Sequence, residues 1–230
     1  MTTAVRFRCI FFDAGGTLIS SSPPIESVIS NVLAGRGASL PPSEVIEAFL
    51  EAELERWRSR ADFESLLSKG LHRRAKVSMD LAEFSVWLAA EVKKRAPHRN
   101  LMAYPDAVLT LAELKRLGLV RGVISNWDGT AEAVLKRLGL AAYLDVVIDS
   151  GVVGVSKPDP GIFQIALGKV MATPESSLFV GDALTDIRGG QGAGLRVAWL
   201  NRTGASLPSG APQPDYTIGS LSQVLDLIGQ

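Results

Sequence analysis

Six short apolar runs, at 8–12, 119–125, 146–148, 178–180, 196–200 and 216–218, leave few folds open to this chain. They are nearly continuous rather than alternating, which is the pattern of strands covered on both faces. Helical patterns at 106–117, 130–138, 161–170 and 186–193 separate most of them, and another at 220–228 follows the last. Strands that alternate with helices form a parallel sheet through right-handed crossovers. The expected fold is therefore α/β: a doubly wound, Rossmann-like parallel sheet.

The interval 20–103 breaks that alternation. It shows no convincing strand and reads as several amphipathic helices. Val45 and Phe49, and Ile46, Leu50, Leu54 and Trp57, recur at helical spacing, with Glu44 and Glu47 early and Arg56, Arg58 and Arg60 late, as a helix dipole favours. This predicts one long helix. A second opens at Asp80, with Glu83 three residues on as in a capping box, and carries Leu81, Phe84, Leu88 and Val92 on one face. One crossover helix is enough to join two parallel strands, so an all-helical insert of this length reads as a separate module. The expected organisation is a core of 1–19 and 104–230 with a helical cap of 20–103. The Pro/Gly/Ser-rich stretch 201–214 reads as a surface loop.

Composition narrows the function. Lys plus Arg (24) equals Asp plus Glu (24), so no global field draws the chain to nucleic acid or to an anionic membrane, and a small, locally charged ligand is the expected partner. The single cysteine, Cys9, sits inside the first apolar run, which excludes a disulfide framework and fits a reducing compartment. There is no apolar stretch of membrane-spanning length, and 1–8 lacks the apolar segment of a signal peptide. A soluble cytoplasmic protein is expected.

The chemistry gathers where strands end. Asp13 closes the run Cys9-Ile10-Phe11-Phe12 and enters the small loop Ala14-Gly15-Gly16-Thr17, so its carboxylate is unshielded. It could be a nucleophile, a metal ligand or both, or a turn residue bonded to its own loop. Ser125 and Asn126 end the second strand and can donate to an anionic oxygen. Lys157, in Ser156-Lys157-Pro158-Asp159-Pro160, offers a point charge ahead of a helix. Gly181-Asp182 ends the fourth strand and Asp186 opens the next helix, a carboxylate pair suited to a hard cation.

With these four segments in this order, the chain resembles the haloacid dehalogenase (HAD) superfamily of aspartate-nucleophile hydrolases, in the subfamily with a helical C1 cap after the first motif. Asp13 to Thr17 matches motif I, Ser125 motif II, Lys157 motif III, and Gly181-Asp182-Ala183-Leu184-Thr185-Asp186 motif IV. The resemblance implies that the Asp13 strand is central, with the motif II and motif IV strands on either side. It implies Asp13 as nucleophile, Ser125 and Lys157 on the oxygens of the transferred group, and Thr17 and Asn126 orienting neighbours or touching substrate. Mg²⁺ would bind Asp13, the Gly15 carbonyl and Asp182, with Asp186 as ligand or just behind one. The implied substrate is a small phosphorylated metabolite.

One position departs from the pattern. Most phosphatases of this family carry a second Asp two residues after the nucleophile, as the acid that protonates the leaving group; here it is Gly15. Such a donor is worth about 10² to 10⁴ in rate. Three readings follow: a phosphatase-like hydrolase whose leaving group needs little protonation or whose acid comes from elsewhere, a carbon-halogen or carbon-phosphorus hydrolase, or a weakly active binding or regulatory member. The phosphonate option needs a cap lysine, and Lys69 and Lys76 read as surface charges. His72 and His98 also read as surface residues, and Trp127 as either a pocket wall or core.

Overall fold

The computed structural model describes residues 7–59, 61–95 and 100–229. Arg60 and His98 from the sequence reading lie outside them, as do residues 1–6. The chain divides into two units, one of Met1–Ser20, Leu101–Arg202 and Pro212–Gln230, the other of Ser21–Asn100 with Thr203–Ala211.

In chain order the elements are β1 (Cys9–Phe12), β2 (Ile19–Ser22), α1 (Ile25–Ala34), α2 (Pro42–Ser59), α3 (Phe63–Ala75), α4 (Leu81–Arg95), β3 (Asn100–Ala103), α5 (Pro105–Arg116) and β4 (Val120–Ser125). Then come α6 (Ala131–Arg137), β5 (Val146–Asp149), α7 (Ser150–Val153), α8 (Pro160–Val170), β6 (Ser177–Gly181), α9 (Leu184–Gly192), β7 (Arg196–Leu200), β8 (Tyr216–Ile218) and α10 (Val224–Ile228).

The first unit is built on a six-stranded sheet in the order β5-β4-β1-β6-β7-β8, every pairing parallel. All four residues of β1 are buried, which is why the run reads as unbroken apolar sequence. Its register sets Phe12 beside Val123 of β4 and Val180 of β6, so the three strands run out together at one edge. Ile10 and Phe12 join Leu111, Leu114, Val123, Leu178, Val180, Ala198 and Leu200 in one core cluster. Each large side chain buried there is worth about 2 kcal/mol. The central place expected for the Asp13 strand, between the motif II and motif IV strands, is the one observed.

The second unit packs α1 to α4 around Val28, Val32, Leu33, Val45, Ala48, Leu71, Phe84 and Leu88. The long helix expected around 45–57 is α2. Asp80 caps α4, its Oδ1 accepting from the amides of Ala82 (2.8 Å) and Glu83 (3.0 Å). Leu81, expected on the buried face, is instead exposed, because it stands in the first turn ahead of the inward-facing Phe84 and Leu88. His72 meets the carbonyl of Met79 at 2.6 Å and the edge of Phe84, and so has a packing role.

One finding corrects the sequence reading and another refines it. The interval expected to hold no strand begins and ends with strand, since β2 and β3 pair in a two-stranded sheet. β2 is Ile-Ser-Ser-Ser and β3 alternates only between exposed and half-buried, so neither produces an apolar run. The 201–214 stretch is irregular, as its composition implies, yet Ala205 and Ala211 are buried and the Ser206 amide donates to Glu47 Oε1 at 3.0 Å. Small residues let a loop without periodicity pack closely.

Candidate active site

The three strand-end segments and the Lys157 segment, which lies between α7 and α8, converge at the edge where β4, β1 and β6 finish. Asp13 follows β1 directly, its amide donating to the Val180 carbonyl at 2.9 Å, and its carboxylate is held by two partners. Ser125, at the end of β4, donates to Asp13 Oδ1 at 3.1 Å, and Lys157 Nζ donates to the same oxygen at 2.5 Å. Lys157 also donates to Asp186 Oδ1 at 2.6 Å. A buried ammonium thus bridges two buried carboxylates. One oxygen each of Asp13, Asp182 and Asp186 lie within 4.8 Å of one another, close enough to share a metal ion.

Neighbours fix each member. Asp186 stands in the first turn of α9, where its Oδ2 accepts from the Ala183 amide at 3.1 Å, the acidic half of a capping box. Asp182 accepts from the Thr17 hydroxyl at 3.1 Å, and its backbone carbonyl accepts from Trp199 Nε1 at 2.9 Å. Asn126 places its whole amide on the Lys157 backbone, with Oδ1 accepting from Lys157 N at 2.8 Å and Nδ2 donating to Lys157 O at 3.0 Å. Its visible work is to hold the lysine segment. No short motif marks the Trp199 contact, because the indole comes from β7, on the far side of α9 from Asp182.

The glycines of motif I differ in their demands. Gly16 has φ 79°, and a Cβ there would sit 2.2 Å from Asp182 Oδ2. Gly15 is not in a left-handed conformation, and its Cβ position faces only Trp127, at an ordinary 3.7 Å. Trp127 is half-buried, and its Nε1 donates to Thr130 Oγ1 at 3.1 Å. At Gly181 a Cβ would lie 2.2 Å from Asp186 Oδ2. A bare backbone is needed there for Asp186 to reach Lys157.

Electrostatics follow from crowding. Three carboxylates face one ammonium, an excess of two negative charges if all are ionised. Burial, then the charges of Asp13 and Asp186, push Asp182 well above the usual carboxylate range. Although Asp182 as a residue is only half-buried, its carboxylate lies among these groups. Burial raises Asp186 to about 6, against the pull of Lys157. Burial alone would lower the Lys157 ammonium, but Asp13 and Asp186 outweigh it and raise it. A site of this kind favours a proton or a cation.

A family model described as haloacid dehalogenase-like hydrolase matches residues 7–194. The chain belongs to the haloacid dehalogenase-like hydrolases. It is 36% identical over 130 residues to phosphoserine phosphatase of Thermus thermophilus, an alignment covering 55% of this chain and about half (51%) of that protein. It is 30% identical over 236 residues to glyceraldehyde 3-phosphate phosphatase of Pyrococcus furiosus, covering 97% of this chain and 93% of that one. Among solved structures, a dehalogenase with an intermediate complex superposes with a TM-score of 0.62 at 25% identity, covering 98% of both chains. No described helix is long and apolar enough to cross a membrane.

Two outcomes are expected of this cluster. Asp186 has a folded pKa of about 6 against an ordinary 3.8, so between those values the folded state binds more protons than the unfolded one, and stability falls as pH rises. With a chelator present, the melting temperature should drop by several degrees between about pH 4.5 and pH 7, and Asp186→Asn should flatten the slope; a wild-type profile that rises would contradict the charge balance. Gly181→Ala should cost about 1–3 kcal/mol in denaturant unfolding, because the methyl group displaces Asp186. An unchanged midpoint would show that Asp186 can move freely.

Proposed function

We propose that the protein is a Mg²⁺-dependent phosphatase of small phosphorylated metabolites, with Asp13 as nucleophile. The observation that carries this reading is the trio Asp13, Asp182 and Asp186 gathered around Lys157. A phosphate ester is an anion, and a cluster with up to two surplus negative charges repels it unless a cation intervenes. Names of relatives support the substrate class, since both phosphatases reported above act on small phosphorylated compounds.

The donor set fits Mg²⁺, a hard ion that takes oxygen ligands. Asp13, Asp182 and the Gly15 carbonyl would hold it, with Asp186 as a further ligand or just behind one. Among the described residues nothing donates to the Gly15 carbonyl, whereas those of Ala14, Thr17 and Leu18 are taken by Leu18 and Ile19, by Arg202 and by Tyr104. When bound, the ion would neutralise charge on the phosphoryl group.

The chain's own residues would then act as follows. Asp13 Oδ1 is anchored by Ser125 and Lys157, which leaves Oδ2 to attack phosphorus in line. A P–O bond forms to Asp13, and the bond to the leaving oxygen breaks with its electron pair. Lys157 has three N–H donors and spends two on Asp13 and Asp186, so one remains for a phosphoryl oxygen. Water then attacks phosphorus, freeing Asp13 and releasing phosphate and a proton. Thr17 and Asn126 serve by holding Asp182 and the Lys157 backbone.

Hydrolysis of a carbon-halogen bond is the second reading. It is favoured by the similarity to a dehalogenase structure and by the absence of a carboxylate at Gly15. Three clustered acids weigh against it, since a haloacid brings no phosphoryl charge for a cation to offset. Lys69 and Lys76, one of which a phosphonate-cleaving reading would require, are both exposed. A panel of phosphorylated metabolites, phosphonates and haloacids, assayed with and without Mg²⁺, separates these reactions by the product released.

Asp13→Asn should lose at least about 10³-fold in phosphate release, because the nucleophile is gone, while keeping its melting temperature within a few degrees. A folded variant with wild-type turnover would end the proposal. Gly15→Asp should raise turnover of alkyl phosphates by about 10²-fold and of aryl phosphates by less, because a phenolate departs without a proton. Gly15 has an ordinary φ and room for a Cβ, so the variant should fold. Equal gains on both substrates, or none, would show that no acid is missing.

A further inference from the structure

Arg202 and Asp106 lie outside every motif used above, yet they meet the nucleophile's loop. Arg202 Nη1 donates to Asp106 Oδ2 at 2.9 Å and Nη2 to Asp106 Oδ1 at 3.0 Å, a bidentate pair. The same Nη2 donates to the carbonyl of Thr17 at 3.0 Å. The face of the guanidinium lies 3.8 Å from the centre of the Tyr104 ring, and Asp106 Oδ2 also accepts from the Leu221 amide at 3.0 Å. The two side chains are only 19% and 23% exposed, which separates this pair from surface ion pairs of negligible worth. Burial works against the Asp106 charge, and the bonds from Arg202 and Leu221 outweigh it, holding the carboxyl below its ordinary range.

Thr17 is what the pair grips. The loop from Ala14 to Ile19 is closed by the Leu18 and Ile19 amides on the Ala14 carbonyl, and by the Gly16 amide on that of Ile19. None of these bonds fixes the Thr17 carbonyl; Arg202 does. Thr17 is fully buried, and its hydroxyl reaches Asp182. We infer that Arg202, locked by Asp106, is a positioning residue for the acidic cluster: it sets Thr17 so that Thr17 holds Asp182 where a divalent cation binds. A lysine in its place could not make two parallel bonds to Asp106, reach the carbonyl and stack on Tyr104. This inference rests on the proposed cation site.

The test is calorimetric binding of Mn²⁺ and of Mg²⁺ to wild type, Arg202→Met, Arg202→Lys, Thr17→Val and the double variant Arg202→Met/Thr17→Val, with a melting curve for each. Arg202→Met should weaken binding about 3- to 10-fold, less than the roughly 10- to 100-fold typical of residues directly behind metal ligands because it acts one step further out, and Arg202→Lys should recover little of it. Once Thr17 lacks its hydroxyl, losing Arg202 should weaken binding no further, whereas the losses in melting temperature should still accumulate. If Arg202→Met fails to fold, Asp106→Asn, which keeps the side-chain shape, carries the same cycle with Thr17→Val. Additive losses in affinity, or unaltered affinity in the folded variants, would overturn the inference alone. A wild type that binds neither ion would overturn the cation reading and this inference with it.

Discussion

The Lys157 ammonium, buried between Asp13 and Asp186, is the interaction on which the arrangement of this hydrolase depends. Three carboxylates with oxygens within 4.8 Å of one another repel by about 3–4 kcal/mol per pair at an effective dielectric near 20. Such repulsion rivals the whole net stability of a domain. Lys157 offsets part of it through two short charge-assisted bonds, and protonation of Asp182 or Asp186 can offset more. The remaining negative charge is what makes the site receptive to a cation, so the same imbalance that burdens the fold equips it for chemistry on anions.

The sheet makes this crowding possible. Because β4, β1 and β6 are adjacent, parallel and in register, Ser125, Asp13 and Asp182 emerge side by side although they lie more than a hundred and fifty positions apart at the extremes. A parallel sheet puts such residues at one edge without any loop having to fold back. Fine placement then falls to local devices: Asn126 on the Lys157 backbone, Asp186 on the Ala183 amide, and two glycines, Gly16 and Gly181, that admit carboxylates where a Cβ would clash.

Much of this was legible in the residues. Buried parallel strands leave continuous apolar runs, and the chemistry at their ends is carried by residue types few enough to be noticed, so β1, β4, β6, their three strand-end segments and the Lys157 segment ahead of α8 could be read directly. The ribbon of β2 and β3 could not, because its serines and half-exposed positions carry no periodic signal. Nor could the partition between Gly15 and Gly16: both are glycine, and only the closeness of Asp182 and the backbone angle show which of them is constrained. The grip of Arg202 and Asp106 on Thr17 joins positions 96 and 185 residues apart in sequence, a distance over which no motif speaks.

In the proposed reaction Asp13 forms a covalent bond to the transferred group. The stereochemical course at phosphorus tests it most directly, using an ester of chiral thiophosphate hydrolysed in isotopically labelled water with Mg²⁺ present. Two successive in-line displacements, one by Asp13 and one by water, each invert the centre, so retention is expected. Net inversion would mean that water attacks the substrate directly, and would contradict the role given to Asp13.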